Sequence, residues 1–328
     1  MVHWMKSLRF HRFGDLSNLE IMDLPIPTPA PGEVLVRVLA SAINPSDAKN
    51  ILGKMEGTTL PRTPGRDFAG VVELAPSHLA GKYVYGCGGD IGFTRDGSHA
   101  EYIVVPERGI ASMPSNLSMT EAATLGVNFV TAYSGVVEAA GLQRGEVIVI
   151  SGATGGVGTA SMQLARFIGA TIITIGRTPP GKEWIERNGV SLALSTSQDD
   201  IAERVREFTG GAGADVAMDC VGGEVFEICL STLGQLGRQI VMTSVGPRRA
   251  SFDLLDFYHR RLLLRGIDSR ALDTVACAVM LDKLRTSFES GDLRTPRIAK
   301  TYRLEEAREA YGKVIDGSAG GKIVFDLA

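Results

Sequence analysis

The stretch SGATGGVG (151–158) constrains what this chain can fold into more than any other, because of what stands on either side of it. Before it, EVIVIS (146–151) is a short apolar run with the β-branched residues of a buried strand. Overlapping its end, GGVGTASMQLARFIG (155–169) carries apolar residues at Val157, Met162, Leu164, Ala165 and Ile168 and reads as a helix. Aligned with G-x-G-x-x-G, the turn places Ala153, Gly155 and Gly158 at the three key positions. A residue without Cβ at 155 lets the backbone approach a pyrophosphate, and one at 158 lets helix and strand pack closely. The free N–H groups at the helix start then receive the anion. A glycine-rich turn alone says little; strand, turn and helix in that order point to a dinucleotide site.

The same alternation continues downstream. TIITIG (171–176), SLALS (191–195), ADVAMDCVG (214–222), RQIVMTSVG (238–246) and RLLLRGI (261–267) read as strands. KEWIERNG (182–189), IAERVREFTG (201–210) and GEVFEICLSTLG (223–234) read as helices between them. Repeated β-α-β of this kind implies an α/β fold with a doubly wound parallel sheet. The first 120 or so residues have another texture, in which EVLVRVLASAI (33–43), FAGVVELA (68–75) and AEYIVV (100–105) are β-like runs separated by turns such as PIPTPAPG (25–32). The tail, with one or two helices and the strand KIVFDL (322–327), resembles that first texture. The expected organisation is a nucleotide-binding domain over 122–266, inserted between two segments, 1–121 and 267–328, of one mostly β catalytic domain.

Composition excludes several function classes. The 34 Lys plus Arg against 37 Asp plus Glu leave a formal charge of −3, with no broad basic face for nucleic acid. No apolar run approaches the roughly 20 residues that span a bilayer, and MVHWMKSLRFHRFGD lacks the continuous apolar segment of a leader. A cytoplasmic protein is expected. Cys87, Cys220, Cys229 and Cys277 form no C-x-x-C pair, so they read as free thiols in a reducing compartment.

The choice of dinucleotide rests on the end of the second strand of the alternating series. An NAD-type site places a carboxylate about 20 residues past the turn to bond the ribose 2′-hydroxyl. Here that position reads TIGRTPPGK, with Arg177 and no nearby acid. A guanidinium bonds a 2′-phosphate bidentately, and Lys182 adds a second charge. NADPH is the expected cofactor; the other reading makes Arg177 an ordinary surface cation.

Taken in order, APGEVLVRVLASAINPSDAKN, PGRDFAGVVE, DGSHAEYIVVP, LSMTEAATLGVNFVTAY, SGATGGVG, GADVAMDCVGG and GGKIVFDL resemble the medium-chain dehydrogenase/reductase superfamily, in its zeta-crystallin-like quinone oxidoreductase branch. The resemblance covers nearly the whole chain. It implies a GroES-like catalytic domain, an inserted Rossmann domain, a cofactor in the cleft between them, and a homodimer. Where zinc enzymes of the superfamily place a Cys, a His and a second Cys around a catalytic metal, this chain has Asn44, Arg66 and Val127. Those residues supply no thiolate or imidazole, so no metal site is expected.

The resemblance also assigns individual residues. Asn44 lines the nicotinamide and substrate cleft; Lys49 either stabilises an enolate or supplies a proton, or merely faces solvent; and Ser46 occupies the proton-relay hydroxyl position of the zinc enzymes, the other reading being that without zinc it only bonds locally. Thr131 touches the nicotinamide ribose or amide, Thr154, Gly155, Gly156 and Val157 line the pyrophosphate, Ser244, Val245 and Gly246 lie at the carboxyl end of the fifth strand, and Lys322 reaches the cofactor from the tail. Asp47 is expected to bond nearby backbone or pair with a cation such as Arg66, and the five histidines to be surface or packing residues, with His99 the one that merits testing. The function expected is zinc-independent hydride transfer from NADPH to a quinone or an α,β-unsaturated carbonyl compound. Two alternatives stay open: a 2-enoyl thioester reductase, and a non-catalytic NADPH-binding protein.

Overall fold

The computed structural model describes residues 3–328; Met1 and Val2, the start of the segment read as lacking a leader, lie outside the described residues. The chain divides into two compact units, one comprising the residues through Val130 together with Ser269–Ala328, the other Thr131–Asp268.

The first unit begins with β1 (Trp4–Phe10) and β2 (Leu19–Pro25), paired antiparallel, and continues through β3 (Glu33–Ile43), β4 (Phe68–Leu74), β5 (Tyr83–Gly86), β6 (Tyr102–Pro106) and β7 (Ala111–Ser112). The chain then builds the second unit with β8 (Val147–Ser151), β9 (Thr171–Gly176), β10 (Leu192–Ser195), β11 (Ala214–Asp219), β12 (Leu233–Val241) and β13 (Leu263–Gly266). It returns to the first unit with the helix Thr274–Glu289, β14 (Ile298–Tyr302), the helix Ala307–Ile315 and β15 (Lys322–Asp326).

In the first unit β3 is the hub, pairing antiparallel with β4, β6 and β15. Val34, Leu35, Val36, Val38, Ala40 and Ala42 are all buried, so β3 reads as a nearly continuous apolar run. Gly70 lets β4 approach it, since a Cβ there would lie 2.1 Å from the Arg37 carbonyl oxygen.

The second unit is a parallel sheet in the order β10-β9-β8-β11-β12-β13. Its strand order reverses between β8 and β11, and ligands of such sheets bind outside the carboxyl ends at that switch point. Val149, Ile173, Ile175, Leu194 and Ala217 on the strands form one core with Val205, Cys229 and Leu230 on the helices.

Two differences from the sequence reading have local causes. The strand expected over 238–246 runs instead from Leu233 to Val241; it pairs with β11 as early as Ala214 opposite Leu233, and an irregularity including Leu236 at φ 63° absorbs the extra residues. Residues 122–130, expected in the nucleotide-binding domain, pack in the first unit. There the Val127 N–H donates to Asp67 Oδ1 at 2.8 Å, and Phe129 meets Phe288 edge-to-face at 4.8 Å. No helix among the described residues is long and apolar enough to cross a membrane.

Candidate active site

The turn between β8 and the helix Gly156–Ile168 has the geometry of an anion cradle. Gly152 takes the left-handed conformation, φ 61°, and the Gly155 N–H closes the turn on the Gly152 carbonyl at 2.9 Å. Gly155 is the N-cap and has no side chain to cap with; the first internal bond runs from the Thr159 N–H to the Gly155 carbonyl at 2.9 Å. The N–H groups of Gly156, Val157 and Gly158 therefore have no acceptor within the helix. Thr154, Gly155 and Gly156 are exposed and Val157 is half-buried. A Cβ at Gly158 would fall 2.3 Å from the Gly152 carbonyl oxygen, so this position admits only glycine without movement of the turn. These residues fit a dinucleotide diphosphate.

The loops around the switch point carry the other expected cofactor residues. Arg177 follows β9 with its side chain exposed, while its carbonyl accepts the Ser195 Oγ at 2.8 Å and the Ser197 Oγ at 3.2 Å. Lys182 opens the next helix and lies 3.7 Å from Glu186. After β12, the Ser244 Oγ donates to the Pro247 carbonyl at 2.7 Å, the Val245 N–H to the Val221 carbonyl at 2.8 Å, and Gly246 is left-handed at φ 87°. Thr131 is buried in the helix Gly126–Tyr133.

In the first unit, residues far apart in sequence meet around Asn44. It is 1% exposed and caps the helix Pro45–Ile51, its backbone N–H donating to Asp47 Oδ2 at 2.8 Å. Its Nδ2 donates to Asp67 Oδ2 at 2.9 Å, and its Oδ1 accepts the Lys322 ammonium at 2.6 Å. Lys322 lies 3.7 Å from Asp67 Oδ2; burial holds its pKa below the ordinary value while Asp67 and Asp47 oppose the shift. Asp47, fully buried, has its carboxyl raised to about 7 by desolvation, against the Asn44 N–H and Arg66. Arg66 is buried as well and donates to the Gly88 carbonyl and to the hydroxyl and carbonyl of Ser269. So Asp47 bonds the backbone rather than Arg66 directly. The Ser46 hydroxyl is buried with no partner among the described residues, and Lys49 is exposed. Buried His99 meets the Tyr311 hydroxyl through Nδ1 at 2.9 Å.

Asp67 was not singled out from sequence, although a carboxylate beside Arg66 in PGRDFAG offered a signal. Asp219 was missed too; a polar residue closing the apolar run ADVAM marks the end of a strand at the switch point.

Comparison with known proteins fits this geometry. Residues 30–115 match the family model described as an alcohol dehydrogenase GroES-like domain, and residues 156–283 match that of a zinc-binding dehydrogenase. The chain is 37% identical to the zinc-type alcohol dehydrogenase-like protein C337.11 of Schizosaccharomyces pombe over 310 residues, 91% of this chain and 90% of the relative. The chain belongs to the medium-chain dehydrogenase/reductase superfamily, in its quinone oxidoreductase branch. Within that family, quinone oxidoreductase of Homo sapiens is 28% identical, covering 98% of both chains. The crystal structure of AibC superposes with a TM-score of 0.90 at 26% identity, over 98% of this chain and 96% of that one. The protein is thus an oxidoreductase of a family whose members bind a nicotinamide cofactor. Of the three residues that the sequence resemblance matched to zinc ligands, Asn44 is bonded through its amide, Arg66 is buried with its guanidinium bonded, and Val127 is apolar and buried. Among the described residues no group of three or more His, Cys, Asp or Glu could hold a metal ion.

Proposed function

We propose that this protein uses NADPH, without zinc, to reduce a quinone or an α,β-unsaturated carbonyl compound. The observation that carries the reading is the pairing of an intact diphosphate turn with Asn44, Arg66 and Val127 at the zinc-ligand positions. The likeness to human quinone oxidoreductase supports the acceptor class.

The N–H groups of residues 156–158 hold the diphosphate, the Arg177 guanidinium and Lys182 meet the 2′-phosphate, and Thr131, Ser244, Val245 and Gly246 line the rest of the coenzyme. When bound, NADPH supplies the hydride. As the acceptor is reduced, negative charge gathers on its carbonyl oxygen, and a preorganised donor stabilises it. Asn44 keeps one Nδ2 hydrogen beyond the bond to Asp67, and the unpartnered Ser46 hydroxyl is a second donor. Lys49, exposed on the same helix, delivers a proton.

Lys49 also favours a second reading, a 2-enoyl thioester reductase, in which a lysine protonates an enolate. Steady-state oxidation of NADPH separates the two. Turnover of 1,4-naphthoquinone well above that of a crotonyl thioester is expected, and the reverse ranking reassigns the enzyme. Tight NADPH binding with no turnover on either acceptor would leave a non-catalytic binding protein.

The proposed assembly is a homodimer. β13 ends the parallel sheet, with Leu263 54% exposed on it and Leu254 67% exposed on the helix Leu254–His259 before it, a face suited to a second copy. Buried Cys87, Cys229 and Cys277 suit a reducing cytoplasm.

A further inference from the structure

We infer that Lys322 and Asp67 form an orienting clamp on Asn44, fixing which end of its amide is offered to the acceptor's carbonyl oxygen. This rests on the reading of Asn44 as a donor to the substrate.

The two ends of an asparagine amide are nearly the same size, so packing alone does not choose between them. Here the partners do. An ammonium only donates, and the Lys322 Nζ lies 2.6 Å from Asn44 Oδ1. A carboxylate accepts, and Asp67 Oδ2 accepts the hydrogen bond from Asn44 Nδ2 at 2.9 Å. Turning the amide over would set its NH2 against the ammonium and its carbonyl against the carboxylate, a mismatch at both ends. Asp67 is itself held, with Oδ1 on the Val127 N–H at 2.8 Å, and the Lys322–Asp67 separation of 3.7 Å closes the triangle.

The sheet builds this arrangement. β15 runs antiparallel to β3 with Ile323 opposite Ile43, so Lys322 stands beside the residue that leaves β3, which is Asn44. Asp67 immediately precedes β4, which pairs with β3 on its other side. The Asn44 backbone is tied independently, by its N–H to Asp47. With one Nδ2 hydrogen spent on Asp67, the other is the single donor the amide keeps. Lys322 is thus a positioning residue acting through Asn44, a different task from gripping the coenzyme.

The test uses the NADPH-bound protein and three variants. Lys322→Met removes the donor. Lys322→Gln keeps a hydrogen bond but not its direction, because a second amide accepts as readily as it donates. Lys322→Arg keeps a donor-only partner. The expected result is a fall in kcat with 1,4-naphthoquinone of about tenfold or more for Met and Gln, a fraction of the loss seen when a transition-state donor is deleted outright. Arg should recover most of it, and KM for NADPH should stay within about twofold throughout. The side-chain amide of Asn44, followed by 15N-labelled hydrogen exchange, should be protected in the parent and Arg forms and lose protection in Gln. Should Lys322→Met fail to fold, the Gln variant carries the comparison. A Gln variant with parental kcat and amide exchange overturns the clamp, as does a loss confined to KM for NADPH. If the parent protein turns over no acceptor, the functional reading fails, and the exchange of the Asn44 amide alone decides the clamp.

Discussion

The Ser151 hydroxyl donates to Asp219 Oδ1 at 2.7 Å, joining the last residues of β8 and β11 on either side of the switch point. The same carboxylate oxygen accepts the N–H groups of Val221 at 3.0 Å and Gly222 at 2.8 Å, while Ser151 Oγ accepts the Cys220 N–H at 3.0 Å. The loop after β11 and the start of the glycine-rich turn after β8 thus share one anchor. Asp219→Ala strips three donors of their acceptor and should destabilise the protein by about 3 kcal/mol. Asp219→Asn keeps the accepting oxygen and alters only Oδ2, which has no partner among the described residues, so it should cost about 1 kcal/mol. Urea unfolding measures both, and equal costs would remove the role given to Oδ1.

Arg177 carries the choice of coenzyme. Its carbonyl is pinned by Ser195 and Ser197 while the guanidinium stays exposed. Losing a bidentate contact to a phosphate should raise KM for NADPH on the order of ten- to a hundredfold in Arg177→Ala. KM for NADH, which lacks that phosphate, should barely move. Comparable increases for both coenzymes would refute the assignment.

Acid should act on His99 and Asp47 in opposite directions. Burial holds His99 neutral, with its pKa lowered from 6.5 to about 3 against the opposing hydrogen bond to the Ala42 backbone. Between those values the unfolded chain binds the extra proton. Its contribution is therefore complete above pH 6.5 and falls by about 1.4 kcal/mol per pH unit below it. Asp47, raised from 3.8 to about 7, makes the folded state bind the extra proton over nearly the same range, so its slope has the other sign. The parent protein should change little in stability from pH 6.5 to 5. His99→Gln, freed of the histidine slope, should gain about 2 kcal/mol relative to the parent over that interval. Parallel profiles of the two proteins would show that His99 takes up its proton as readily in the fold as in the unfolded chain.

Metal analysis should find no stoichiometric zinc, since Asn44, Arg66 and Val127 offer neither thiolate nor imidazole at the family's ligand positions. One zinc per chain, retained through dialysis against a chelator, would overturn the reduction chemistry proposed above.

What could be read in the sequence was what depends on near neighbours. Strands Glu33–Ile43 and Thr171–Gly176 begin and end at the residues expected of them, because β-branched runs bounded by turn formers carry their own limits. The conformation of the glycine-rich turn could be read for the same reason: strand, glycines and helix are contiguous. The pair of Asn44 with Lys322 could not, because 278 residues separate them and only the β3–β15 register brings them together. The β1–β2 pair is not legible either, since charged and polar residues break up its apolar pattern. Nor did sequence show residues 122–130 joining the first unit, which follows from one hydrogen bond to Asp67 and the packing of Phe129.

β15 lies between β14 and β3, so the sheet of the first unit has a gap beside its hub strand until residues 322–326 exist. The second unit draws on residues 131–268, all of which precede β14 and β15 in the chain. During synthesis the second unit is therefore free to mature first, while the earliest-made segment waits with the β15 side of β3 uncovered. The strand made among the first is thus completed by the strand made last.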